Sequence, residues 1–152
     1  MGLEVHTILA DAGFSSGENY ATIQHLGLNS YIPVHGSYKP IREGFLYDKE
    51  HDLYTCVKGH KLHHRQIDKS GGYIKKRYLS SKKVCDKCPL NKTCVGKRGY
   101  KEINHTIYKN HYDQMIQRLK SEKGKLIAPS ICRPLNAAAD RVSKMIVLGS
   151  QV

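Results

Sequence analysis

Cys85-Asp86-Lys87-Cys88 is a CxxC pair, Cys94 follows after five intervening residues, and Cys56 lies well upstream. Four thiolates are enough to close a tetrahedral Zn2+ site, and a two-residue spacer lets one tight turn present two of them. Pro89, just after Cys88, suits such a turn. His60 is an alternative ligand, because Cys56-Val57-Lys58-Gly59-His60 has turn-sized spacing too. Two other readings stand beside structural zinc: reduced cysteines used only in packing, and a redox CxxC. The redox reading needs Cys85 to open a helix behind a strand, and the sequence around it lacks that pattern. Cys132 has no partner at metal spacing and reads as a small apolar residue. Asp11 is the other residue in a chemically informative place. It follows a short apolar run and opens the turn Asp11-Ala12-Gly13. A carboxylate there either bonds neighbouring backbone amides or serves as an oxygen ligand for Mg2+, which takes one or two carboxylates plus substrate phosphates.

Charge narrows the partners. The 152 residues hold 25 Lys and Arg against 13 Asp and Glu, a net charge of +12. Residues 1–38 contain no Lys or Arg and carry −3, residues 39–126 carry +13, and residues 127–152 carry +2. Such a balance favours a polyanion, with nucleic acid ahead of a membrane surface. Lys75-Lys76-Arg77, Lys82-Lys83, Lys97-Arg98 and Lys101 form basic clusters interleaved with Tyr73, Tyr78, Tyr100 and Tyr108. Cations among aromatics suit phosphate contact combined with base stacking. A solvated basic face whose tyrosines pack in hairpins is the competing reading. The chain contains no apolar run of membrane-spanning length and no signal-peptide pattern, so a cytoplasmic protein without a membrane partner is expected. Reduced cysteines follow from that compartment, and an odd count of five argues against a closed disulfide set.

The elements that must position these residues are readable in outline. Val5 to Ala10 is a short strand with apolar residues on both faces. Ser15, three residues before Glu18, has capping-box spacing, and Tyr20, Ile23 and Leu26 follow at helical spacing up to Gly27. Ser30 to Val34 is a second short strand. A β-α-β unit of this size implies a parallel pair, with Asp11 at the carboxyl edge where ligands gather in open α/β sheets. Hairpins are expected at Phe45–Tyr47 with Leu53–Thr55, and at residues 63–68 with 73–79 around Lys69-Ser70-Gly71-Gly72. Residues 109–122 form an amphipathic helix marked by Tyr112, Met115, Ile116 and Leu119, which Gly124 ends. In the tail, Asn136 caps a helix running to Leu148.

From Ala10-Asp11-Ala12-Gly13-Phe14-Ser15-Ser16-Gly17-Glu18-Asn19-Tyr20 onward, the sequence resembles bacterial insertion-sequence transposases of the DDE type, in the group with a cysteine-bearing insert. The likeness continues through Tyr31-Ile32-Pro33, His35-Gly36, Gly44-Phe45, Tyr47-Asp48, Asp52 and Tyr54-Thr55-Cys56. It includes Arg77-Tyr78, Ser80-Ser81-Lys82-Lys83, Cys85 to Leu90 and Cys94, so it spans about residues 4–125. The resemblance implies an RNase H-like fold and Mg2+-dependent DNA strand cleavage and transfer, in which three acidic residues hold two metals. Asp11 matches the second of those acids.

On this reading residues 1–38 are a partial RNase H-like catalytic core and residues 39–108 a basic, zinc-ribbon-like hairpin insert stapled through Cys56, Cys85, Cys88 and Cys94. Residues 109–125 are a core helix, and residues 126–152 a divergent tail that suggests a frameshift. The first Asp of the triad has no counterpart in the sequence, and no Glu follows Glu122. The expectation is a truncated transposase fragment that binds DNA, at transposon ends and target, without catalysing alone. The alternatives are a non-catalytic, zinc-stapled nucleic-acid-binding module, or a protein that pairs with a full-length transposase subunit. Nucleoid association is expected while it is bound to DNA.

Overall fold

The computed structural model describes residues 3–131 and 145–151. In chain order the elements are β1 (Leu3–Ala10), a 3-10 turn (Ala12–Phe14), α1 (Gly17–His25), β2 (Asn29–Tyr31), β3 (Phe45–Asp48), β4 (Leu53–Cys56), β5 (Lys61–Ser70) and β6 (Tyr73–Ser80). They continue with α2 (Lys82–Asp86), α3 (Asn91–Cys94), a 3-10 turn (Gly96–Arg98), β7 (Glu102–Thr106), α4 (Lys109–Lys120), α5 (Glu122–Ile131) and β8 (Met145–Gln151). The fold is mixed α/β and divides into two compact units: residues 1–40 with 108–152, and residues 41–107. No described helix is long and apolar enough to cross a membrane.

The first unit is built on a three-stranded sheet in the order β2-β1-β8. β1 and β2 are parallel, pairing Thr7 with Asn29 and Leu9 with Tyr31, and α1 forms the crossover. Ala10, Tyr20, Ile32 and Met115 make the buried core, with Phe14, Ile23, Val34, Tyr112 and Leu119 packed around it. The stripe Tyr112, Met115 and Leu119 thus turns α4 toward the sheet, as helical periodicity requires. α1 is capped one residue later than its capping-box spacing suggests. The Ser16 hydroxyl accepts from Asn19 N–H at 3.0 Å. Ser15 is drawn elsewhere, accepting from Tyr20 O–H at 2.8 Å and from His35 N–H at 3.0 Å. Gly17 lets the start of α1 approach Tyr108, whose Cβ would lie 2.3 Å from a Cβ added at position 17.

Two expectations for this unit are corrected. Gly124 does not end a helix: α4 stops at Lys120 and Gly124 lies within α5, where a Cβ would sit 2.3 Å from the carbonyl of Arg118. The absent side chain allows the first turn of α5 to lie directly against the Arg118 and Leu119 carbonyls at the end of α4. The tail helix is replaced at its end by a strand, since Met145 to Leu148 belong to β8. β8 runs antiparallel to β1 over Leu3↔Gln151 to Ala10↔Met145. It covers the edge of β1 that β2 leaves open, which satisfies backbone groups a helix would leave unpaired. The rest of the expected tail helix, and Cys132, lie outside the described residues.

The second unit is a five-stranded antiparallel sheet, β3-β4-β5-β6-β7, in simple sequence order. Both expected hairpins are present. The β5–β6 turn is the two-residue loop Gly71-Gly72, with φ of 56° and 78°. Both values lie in the left-handed region that a type I′ hairpin turn demands. Tyr54, Leu62, Tyr78 and Ile103 form the core of one face, joined by Phe45, Tyr47 and Cys56.

Candidate functional site

Asp11 sits at the carboxyl end of β1, next to buried Ala10. Its carboxylate caps the 3-10 turn, accepting from Gly13 N–H at 2.7 Å. Among the described residues no group of three or more His, Cys, Asp and Glu side chains converges. A two-metal centre needs several carboxylates around its ions. The described residues therefore do not fit a pair of Mg2+ ions.

The four described cysteines, Cys56, Cys85, Cys88 and Cys94, form no disulfide, and each has a local setting in the second unit. Cys56 opens a turn in which its N–H donates to the His60 carbonyl at 2.9 Å, and Gly59 N–H donates back to the Cys56 carbonyl at 2.8 Å. Cys88 N–H donates to the Cys85 carbonyl at 3.0 Å, which closes the CxxC turn. Cys85 is buried with Sγ 3.0 Å from Ser80 Oγ. Cys94 ends α3, and its carbonyl accepts from Lys101 Nζ at 3.0 Å. One groove of about 500 Å3 is lined by Lys58, His60, Lys83, Val84, Lys87, Cys88 and Pro89. It brings one candidate ligand from each turn to the same surface. A tetrahedral zinc site needs four ligands; this groove holds two candidates, and among the described residues no three His, Cys, Asp or Glu groups gather as a metal site.

The most connected polar cluster is one the sequence did not announce. Asp52 Oδ1 accepts from Tyr47 O–H and Tyr78 O–H, both at 2.6 Å, and Oδ2 accepts from Lys76 Nζ at 2.8 Å. His105 is buried between Tyr78, 3.0 Å from Nε2, and Tyr54, 2.9 Å from Nδ1. Tyr78 has one hydroxyl proton and gives it to Asp52, so its oxygen accepts from Nε2–H. Nδ1 shares its hydrogen bond with the Tyr54 hydroxyl, so both ring nitrogens of His105 are engaged by tyrosines. Burial pushes the Asp52 carboxyl up, but the bonds from Lys76, Tyr47 and Tyr78 outweigh it and hold it well below its ordinary value. Burial and the bond to Asp52 push the Tyr78 hydroxyl far up. Asp52 reaches its partners from a left-handed φ of 49°, a conformation Asp tolerates better than most residues. With Tyr78 fully buried, these groups serve as a structural lock.

The cations split into two classes. Lys76 pairs with Asp52, and Arg77 pairs with Glu102 at 2.9 Å, both half-buried. Arg98 also reaches Glu102 at 3.1 Å from an exposed position. The Glu102 carboxyl is held low by bonds from Asn104 and Arg77, against its burial. Lys101 lies 5.5 Å above the Phe45 ring. Of the expected nucleic-acid contacts, Lys76, Arg77 and Lys101 thus have internal work. Lys75, Lys82, Lys83 and Lys97 make no ion pair among the described residues. Lys58 and Lys87 join Lys83 around the groove, although neither lies in a run of basic residues. The turns at Cys56–His60 and Cys85–Cys88, read for metal, were the signal that would have found them.

Compared with family models, curated proteins and solved structures, the chain matches none.

Proposed function

We propose that the chain is part of a DNA strand-transfer protein of the DDE type, and that residues 41–107 are its DNA-holding unit. One observation carries this. That unit holds 16 Lys and Arg against 7 Asp and Glu, and Lys58, Lys83 and Lys87 gather around a groove with no carboxylate in its lining. A cationic surface with an apolar floor suits phosphates and the faces of bases. The first unit supports the wider reading through its parallel β1–β2 pair, the α1 crossover and Asp11 at the carboxyl edge. That is the arrangement expected of part of an RNase H-like core. Strand cleavage and transfer would belong to an assembly that supplies the other acids.

The test is a labelled duplex titrated with the full chain at several salt concentrations, followed by a cleavage assay with Mg2+ or Mn2+. Binding that weakens steeply with salt, without strand cleavage, is expected. Cleavage that disappears in Asp11→Ala would overturn the inactivity of the chain alone, and absence of DNA binding would overturn the proposal. A second reading, a nucleic-acid-binding module with no catalytic past, is favoured by the lack of convergent acids among the described residues. Co-purification with a longer transposase subunit would speak against it.

A further inference from the structure

The groove between the Cys56–His60 and Cys85–Cys88 turns is a hollow, and that shape bears on the form of DNA it takes. A duplex keeps the faces of its bases stacked inside, and its grooves are read by protein elements that protrude into them. A hollow of about 500 Å3 cannot enter a DNA groove. It can only receive something that protrudes, and its volume lies in the range of small-molecule sites, roughly 300–1,000 Å3. An unstacked base is the part of a nucleic acid that protrudes in this way.

The lining is divided to match. Val84, 37% exposed, and Pro89, also exposed, supply apolar surface. A phosphate gains nothing from such surface, whereas the face of a base is removed from water by it. Lys58, Lys83 and Lys87 are exposed around it. None of the three joins an ion pair among the described residues. Lys58 comes from one turn and Lys83 and Lys87 from the other segment, so cations reach the hollow from two parts of the chain. Among the lining side chains, only a neutral His60 offers both a strong donor and a strong acceptor, as the edge of a base requires.

The two turns are held before any ligand arrives. Val57 N–H donates to the Gly44 carbonyl at 3.1 Å, beside the Cys56–His60 bond. Asn91 Nδ2 donates to the Cys85 carbonyl at 2.7 Å, and Asn91 N–H to the Cys88 carbonyl at 3.0 Å. A preformed site loses little ordering entropy on binding. We propose that this groove holds one unstacked nucleotide of single-stranded DNA, its base over Val84 and Pro89 and its flanking phosphates on Lys58, Lys83 and Lys87. This rests on the reading that residues 41–107 hold DNA, and adds the form of DNA that the site selects.

The experiment is fluorescence anisotropy of the full chain with a labelled single strand, and with the same strand as a blunt duplex, between about 50 and 200 mM salt. The duplex should bind through phosphates alone, so the single strand should bind about fivefold or more tightly at the high-salt end, the scale of one base contact. Lys58→Ala/Lys87→Ala removes two phosphate contacts, so the slope of log K against log salt for the single strand should flatten by about 1.4, about 0.7 for each. Val84→Ser keeps the charge and makes the floor polar. It should weaken single-strand binding about threefold and leave duplex binding as it was. All three positions are exposed, and circular dichroism checks that the fold is kept. If the duplex binds as tightly as the single strand at high salt, or Val84→Ser weakens both alike, the selectivity is overturned while DNA binding by the unit survives. If the single strand binds more tightly but neither variant alters slope or affinity, the groove is overturned as its site. If the wild type binds neither form, the groove and the proposed function both fall.

Discussion

The two units solve the problem of a small core differently. In the unit of residues 1–40 and 108–152, helices α1 and α4 close an apolar core of Ala10, Ile32 and Met115 with Tyr20 at its side. In residues 41–107 the core is an aromatic face, and buried Tyr54, Tyr78 and His105 are tied by hydrogen bonds to Asp52 and Lys76. A unit of that size buries too little apolar surface to be safely stable, and natural domains of this class add a staple. Here the staple is a satisfied polar network. Such a network specifies a unique packing when complete and is costly when broken. The first unit should therefore fail through lost fit, and the second through lost partners.

The largest effect follows from removing the centre of the network. Tyr78→Ala should cost about 3–5 kcal/mol, the usual range for a large aromatic in a core. Tyr78→Phe keeps the ring and should still cost about 1–3 kcal/mol, because His105 and Asp52 each lose a partner. Amide hydrogen exchange localises the loss: β6 and β7 should lose protection while β1 and α4 keep theirs. Equal loss in both units would break the comparison.

In the first unit the corresponding weak point is geometric. Gly17→Ala places a Cβ 2.3 Å from the Cβ of Tyr108, and neither carbon can swing away. Overpacking of this kind should cost about 3 kcal/mol. The expected pattern of exchange is reversed, with α1 and α4 losing protection and β6 keeping it.

Asp52→Asn sharpens the contrast through pH. Asn also tolerates the left-handed backbone at position 52, so the substitution removes charge with little strain. It should cost about 2 kcal/mol at neutral pH, the scale of hydrogen bonds to a charged acceptor. The Asp52 carboxyl is held below its ordinary value of 3.8 in the folded chain. Its contribution is therefore complete above that value and is lost as pH falls below it, because the unfolded state then binds the proton first. Glu102 shifts in the same direction and adds to the acid limb. Urea midpoints between pH 2.5 and 7 should show a smaller acid loss in Asp52→Asn than in the wild type. An unchanged acid limb would mean that Asp52 does not govern it.

The sequence carried the local structure further than the tertiary choices. β1, the β3–β4 and β5–β6 hairpins and α4 were legible because turn residues and periodicity act over short spans. Ser15 and Ser16 are adjacent, and only Tyr20 and His35, folded back onto Ser15, decide which one caps α1. Met145-Ile146-Val147-Leu148 suits a strand as well as a helix, and the open edge of β1, far off in sequence, selects the strand. The cations fail as a set for the same reason. Lys76 and Arg77 look like the centre of a basic patch until Asp52 and Glu102, 24 and 25 residues away, claim them. Asp11 was legible as a strand-end carboxylate because its turn is local.

The smallest expected effect concerns the thiols. Cys85→Ser replaces a buried sulfur with a smaller oxygen that still reaches Ser80 Oγ, now 3.0 Å from Sγ. A surviving hydrogen bond and a small volume change should cost about 1 kcal/mol or less. Thermal unfolding and the zinc content of the purified chain would be measured together. A drop of several kcal/mol accompanied by loss of one zinc per chain would mean that metal draws Cys56, Cys85, Cys88 and Cys94 together, because binding and folding free energies merge at a structural site. The second unit would then be stapled twice, and Tyr78→Phe would cost less than its network suggests. A small change with no zinc lost leaves Tyr78, His105 and Asp52 as the bonds that hold the five strands in place.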